Sequence, residues 1–184
     1  MTTISQHLLT ADEFAALPRE GLRLELIRGE ISAMPPAFGW HGRTAMRLGI
    51  ILGQYVLAQS LGETYAAETG FLIARDPDTV RAPDLAFIQS SRVPPLSSED
   101  GWVRVIPDLV VEVVSSGDRA SEVGEKVQMW LDAGVRLIWV ARPAQRTIDI
   151  YRPGVSVLTL GDGDNLDGYD VVPGFTAPVS QVFS

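Results

Sequence analysis

PDLVVEVVSSGDRASEVGEKVQMWLDAGVRLIWV, residues 107–140, decides the fold of this chain. It opens on a β-branched run around Leu109–Val114, the pattern of a strand covered on both faces. A helix is predicted over 119–134, because Val123, Val127, Trp130 and Leu131 recur at i, i+4, i+7 and i+8 and form one apolar stripe. Gly134 stands where a helix terminator belongs. RLIWVA, 136–141, reads as a second buried strand. Strand, helix, strand is a crossover unit.

Upstream, APDLAFI (82–88) and TYAAETGFLIA (64–74) read as strands flanking the turn RDPDTV (75–80). Residues 43–60 read as a helix with Met46, Ile50, Tyr55 and Leu57 among its apolar positions. PPAFGWHG (35–42) reads as a loop, and LRLELIRGEISAM (22–34) as a hairpin turning at Arg28-Gly29. Thr10 and Glu13 have capping-box spacing, so a short helix starts there and Pro18 ends it. Downstream, RVPPLSSEDGW (92–102) reads as a polar loop, TIDIYRPGVSVLTL (147–160) as a hairpin with a Pro-Gly turn, and GYDVVPGFTAPVSQVF (168–183) as a strand or extended tail. From 43 to 141 the order is helix, strand, strand, strand, helix, strand. With the hairpins, this predicts an α/β or α+β fold on a mixed sheet, and 184 residues suit a single domain over 1–184.

Hydrophobic content of 46% and charged content of 21% are ordinary for a globular chain. No apolar run reaches membrane-spanning length, and the first residues lack a basic segment followed by an apolar one. With no cysteine there is neither a disulfide framework nor a thiolate metal site. A cytoplasmic protein without membrane contact is expected. The net charge of −8 argues against a broad basic nucleic-acid footprint. Any contact with nucleic acid must use local arginines, a metal-neutralised site or the arginine-rich face of an oligomer.

Three residues carry candidate chemistry. Glu112 interrupts the apolar run, where a charge is costly unless it is paired or binds metal. It can instead pair with an arginine, face a solvent cleft, or lie on an exposed edge. Asp108 shares its face by strand alternation. Asp84 follows Pro83 at a strand start, a common place for a turn residue. Lys126 is the only lysine beside 14 arginines and lies at the border of the helix stripe. A surface pair with Glu122, four residues before it, is the plainer role. Arginine would serve that pair equally well, but not as a compact ammonium beside a phosphate. Two carboxylates on neighbouring strands hold a hard divalent cation, Mg²⁺ or Mn²⁺, and an ammonium stabilises phosphoryl charge; the set suits phosphodiester hydrolysis.

RLELIRGEI, the proline-rich loop with His41, RAPDLAFI, the 107–140 block and the closing VPGF resemble the Uma-type restriction endonuclease family of the PD-(D/E)XK nuclease superfamily. The resemblance implies a restriction-endonuclease-like core in the helix-strand-strand-strand-helix-strand order. It implies Asp84 and Glu112 as acidic metal-binding positions. The superfamily lysine usually sits two residues after the second acid. That position is Val114 here, and Lys126 on the next helix matches the displaced lysine of this family. Glu25 matches a family position and either faces the site or pairs with an arginine. His41, at the opening of the first core helix, matches a family histidine; a local hydrogen bond is the preferred reading of it. Trp130 stands where the family often has tyrosine, a packing position. The resemblance implies a Mg²⁺- or Mn²⁺-dependent endonuclease acting on DNA. The 147–160 strands and the tail offer exposed edges for pairing across a two-fold axis, so a homodimer is expected. Two other classes stay open: an inactive nuclease-fold binding or regulatory protein, and a small-nucleotide phosphodiesterase.

Overall fold

A computed structural model describes residues 7–18, 21–34, 36–95 and 101–184. The chain runs α1 (Ala11–Ala15), β1 (Arg23–Ile27), β2 (Glu30–Met34), α2 (Gly39–Gln59), β3 (Gly62–Ala66), β4 (Phe71–Ala74), β5 (Thr79–Arg81), β6 (Leu85–Gln89) and β7 (Leu109–Val113). It continues α3 (Ala120–Ala133), β8 (Leu137–Arg142), β9 (Thr147–Arg152), β10 (Val155–Leu160), β11 (Asn165–Asp167), β12 (Thr176–Pro178) and α4 (Val179–Phe183). Six strands form the main sheet in the order β10-β9-β8-β7-β6-β3. β7 and β8 pair in parallel through α3, with Glu112 opposite Val140, while β6 runs antiparallel to β7. The sheet is mixed, as the 107–140 block predicts.

Alternation along β7 assigns its side chains. Leu109, Val111 and Val113 enter the core shared with Leu48, Leu52 and Val56 of α2. Val110 packs with Val127 and Trp130 of α3 on the opposite face. Glu112 has the parity of Val110, so it points at α3. The stripe predicted for α3 faces the sheet through Val127 and Trp130, and Gly134 closes the helix at φ 101.

A second sheet, β2-β1-β5-β4, lies over a small core of Ala11, Phe14, Leu26, Leu72 and Val80. The Thr10–Glu13 capping box forms as the spacing predicts. Only Ala82 and Pro83 separate the last residue of β5, Arg81, from Asp84 at the threshold of β6. This short segment crosses from one sheet to the other.

Several expectations are corrected. TYAAETGFLIA is not one strand: Glu68 adopts φ 72, the chain turns, and its halves join different sheets as β3 and β4. RDPDTV is only partly a turn, because the β-branched pair Thr79-Val80 enters β5, with Val80 opposite Leu26 of β1. Taking β4 and β5 into the small sheet leaves α2, β3, β6, β7, α3, β8 around the large one, which is the predicted order. α2 begins at Gly39, so the end of the predicted loop is helical. Its N-cap Phe38 supplies no side-chain bond, so the usual Ser, Thr, Asp or Asn signal is missing. The buried stripe of α2 is Thr44, Leu48, Leu52 and Val56, while Met46, Ile50 and Leu57 face solvent. The predicted tail pairs as β12 with β11 and ends in α4, burying Val182 and Phe183. In the 92–102 loop, residues 96–100 lie outside the described residues.

Candidate active site

The antiparallel pairing of β6 with β7 brings the start of one strand beside the end of the other. The Asp84 amide donates to the Val111 carbonyl at 3.1 Å. The Val113 amide donates to Asp84 Oδ2 at 2.8 Å, so the carboxylate takes the next rung of the ladder. Glu112 meets α3 on the other side of its own strand. Lys126 Nζ donates to Glu112 Oε2 at 2.7 Å, and Trp130 Nε1 donates to Oε1 at 2.8 Å. Lys126 and Trp130 are four residues apart and share a helix face. The pair is largely enclosed: the side chains of Lys126 and Glu112 are 18% and 9% exposed.

Three further groups surround it. His41, in the first turn of α2, places Nε2 3.1 Å from Asp84 Oδ2. Glu25 of β1 accepts from the Ala82 amide through Oε1 at 2.9 Å. Its Oε2 lies 3.4 Å from Arg81 Nε without hydrogen-bond geometry. Glu25, His41, Arg81, Asp84, Glu112 and Lys126 all line one cleft of about 850 Å³ between the two sheets.

The cluster sets its own protonation. Burial pushes Asp84 up, but the bond and charge of His41, the charge of Lys126 and the Val113 amide outweigh it and hold the carboxyl below its ordinary value. Burial pushes Glu112 to about 7 despite the adjacent Lys126, with the negative charges of Asp84 and Glu25 adding to the rise. Burial lowers Lys126, but Glu112 and Glu25 overcome burial and the repulsion of Arg81, so its pKa is raised and it stays an ammonium. At neutral pH Asp84 is an ionised carboxylate, Glu112 is near its midpoint and Lys126 is an ammonium.

Asp84, Glu112 and Lys126 therefore converge, and Glu25 combines both roles considered for it: it lines the cleft and neighbours an arginine. The surface pairing considered for Lys126 is not formed, because Glu122 turns to Arg119. Among the described residues His41 makes no local hydrogen bond; its contact is to a residue 43 positions away. Trp130 does more than pack, since its indole fixes Glu112. Asp108 shares the parity of Glu112 but lies at the other end of β7, where it accepts from the Gln89 amide and from Arg92. Arg81 was not visible as a site residue in the sequence. The clue is its place three residues before Asp84, which has meaning only once the crossing between sheets is known.

The residues of the type that could hold a hard divalent cation are Asp84 and Glu112, and both Glu112 oxygens already accept a hydrogen bond. Asp84 and Glu112 present carboxylate oxygens at one cleft, and Mg²⁺ is commonly held by one or two carboxylates together with water and substrate phosphate. Among the described residues no group of three or more His, Cys, Asp or Glu side chains is placed to hold a metal ion.

The sequence model of the Uma2 family, described as "Putative restriction endonuclease", matches residues 11–180. A crystal structure from Anabaena variabilis, titled as "a putative nuclease belonging to DUF820", is similar in fold at a TM-score of 0.81. The two share 21% identity over 95% of this chain and 97% of that one. No curated protein matches the sequence.

Proposed function

The chain belongs to the Uma2 family of restriction-endonuclease-like proteins, and from that premise we propose that it is a Mg²⁺- or Mn²⁺-dependent endonuclease that hydrolyses phosphodiester bonds in DNA. The observation that carries the reading is the meeting of Asp84, Glu112 and Lys126 in one cleft. Asp84 and Glu112 would hold the cation. A divalent cation there polarises the phosphoryl group and makes water more acidic at the site. Lys126 keeps a positive charge beside the phosphate oxygens as negative charge builds on them. His41 holds Asp84 ionised and oriented, and Trp130 fixes the plane of Glu112. Such supporting partners commonly contribute 10–100-fold to activity or metal affinity. Hydrolysis consumes one water and breaks one P–O bond.

The reading takes the acting form to be a homodimer of single-domain chains. It is tested by incubating plasmid and single-stranded DNA with the protein and Mg²⁺ or Mn²⁺, beside Asp84→Ala and Lys126→Ala. Cleavage by the parent that is lost in both variants and abolished by EDTA supports it. Binding without cleavage under every cation would replace it with a non-catalytic role, and hydrolysis confined to short nucleotides would change the substrate.

A further inference from the structure

We infer that Arg81 is a phosphate-binding residue, the anion subsite of the cleft. The inference rests on the nuclease reading for the choice of ligand, and on Arg81's own surroundings for the site. A guanidinium carries five N–H donors and is never deprotonated, so burying it without acceptors is costly. The Arg81 side chain is only 8% exposed. Yet its one hydrogen bond among the described residues runs from Nη1 to the Met129 sulfur at 3.6 Å, a weak acceptor. Nε is buried with no hydrogen-bond partner, and Oε2 of the neighbouring Glu25 is equally orphaned. The two form an ion pair at 3.4 Å that lacks hydrogen-bond geometry, so the charges attract while the donor and the acceptor stay unfilled. Each unmade bond of this kind costs about 1–3 kcal/mol, and the residue lines the cleft that holds Asp84, Glu112 and Lys126.

An anionic oxygen entering the cleft supplies what the guanidinium lacks. Arginine's planar fork matches two oxygens of a phosphate. The negative charge of Glu25 keeps the empty subsite from being strongly cationic and aims the guanidinium through electrostatic attraction. The subsite also answers the problem posed by the chain's net charge of −8. A buried, pre-positioned arginine grips one phosphate locally without a broad basic surface. The ligand class is a phosphodiester or phosphomonoester of a nucleic-acid strand, held next to the carboxylate pair.

The wild-type protein in EDTA is titrated with a 5′-phosphorylated single-stranded hexanucleotide and, separately, with inorganic phosphate, while the Arg81 Nε–Hε resonance is followed by ¹⁵N NMR. Arg81→Lys, Arg81→Gln and Glu25→Gln are titrated in parallel by fluorescence anisotropy after their melting curves show folding. A saturable displacement of the resonance is expected with the hexanucleotide. Roughly tenfold weaker binding in Arg81→Gln is expected, with partial rescue in Arg81→Lys and a salt slope reduced by about one phosphate contact. A resonance unmoved at saturation, equal affinity in wild type and Arg81→Gln, or no binding of either ligand would overturn the assignment. The nuclease reading fails differently: if Mg²⁺ or Mn²⁺ supports no cleavage while the resonance still moves, the phosphate subsite stands and hydrolysis falls.

Discussion

At the scale of single residues, the site is a set of charges that hold one another in unusual states. Glu112 gives the clearest consequence. Unfolded, its carboxyl ionises at about 4.5; folded, it ionises at about 7. Between those values the native state holds a proton that the unfolded state has released, so stability falls as pH rises from about 4.5 to 7. The loss is on the order of a few kcal/mol. Denaturant unfolding in EDTA is expected to show that slope in the wild type and a flatter one in Glu112→Gln; equal slopes would contradict it. Asp84 works in the opposite sense, because its lowered pKa contributes stability that is lost as pH falls through the acid range. Trp130→Phe keeps the ring and removes the donor to Glu112, so it should cost about 1–3 kcal/mol by the same unfolding measurement. Glu112 was legible in the sequence because a carboxylate inside a β-branched run needs a reason. Trp130 and Arg81 were not, since an indole N–H and a guanidinium look the same in sequence whether they serve structure or site.

At the scale of elements, the crossover block was readable because β7, α3 and β8 each carry one consistent pattern, with a glycine where the helix stops. α2 was not readable to the same degree. It has apolar residues on several faces, so periodicity alone cannot choose the face that the sheet covers. The structure chooses Leu48, Leu52 and Val56. Leu52→Ala should therefore cost about 2–5 kcal/mol, while Ile50→Ala, on the exposed face, should stay within about 0.5 kcal/mol in chemical denaturation. The reverse ranking would place the helix the other way round. β4 and β5 were hidden for a different reason: local sequence announces extended chain but not the sheet that recruits it. In the stretch read as a strand or extended tail, the bounds of β12 and the closing helix α4 were not legible, because both are too short for a period to develop.

At the scale of the whole molecule, β10 is an edge of the main sheet and exposes Val155, Val157 and Leu158. A long apolar edge is a template for pairing with another chain. Size-exclusion chromatography with light scattering should show a dimer at micromolar concentration, and Val157→Lys should shift it to monomer with little change in melting temperature. A wild-type monomer would remove the dimer from the proposal. The two sheets, by contrast, are already tied together within the chain. Arg81 ends one sheet, and Asp84 stands at the start of the other after Ala82 and a φ-restricted proline. That link leaves little slack between the two sheets. Arg81 and Asp84 therefore stand on different sheets yet line the same cleft, so the floor of the cleft is built by the crossing itself.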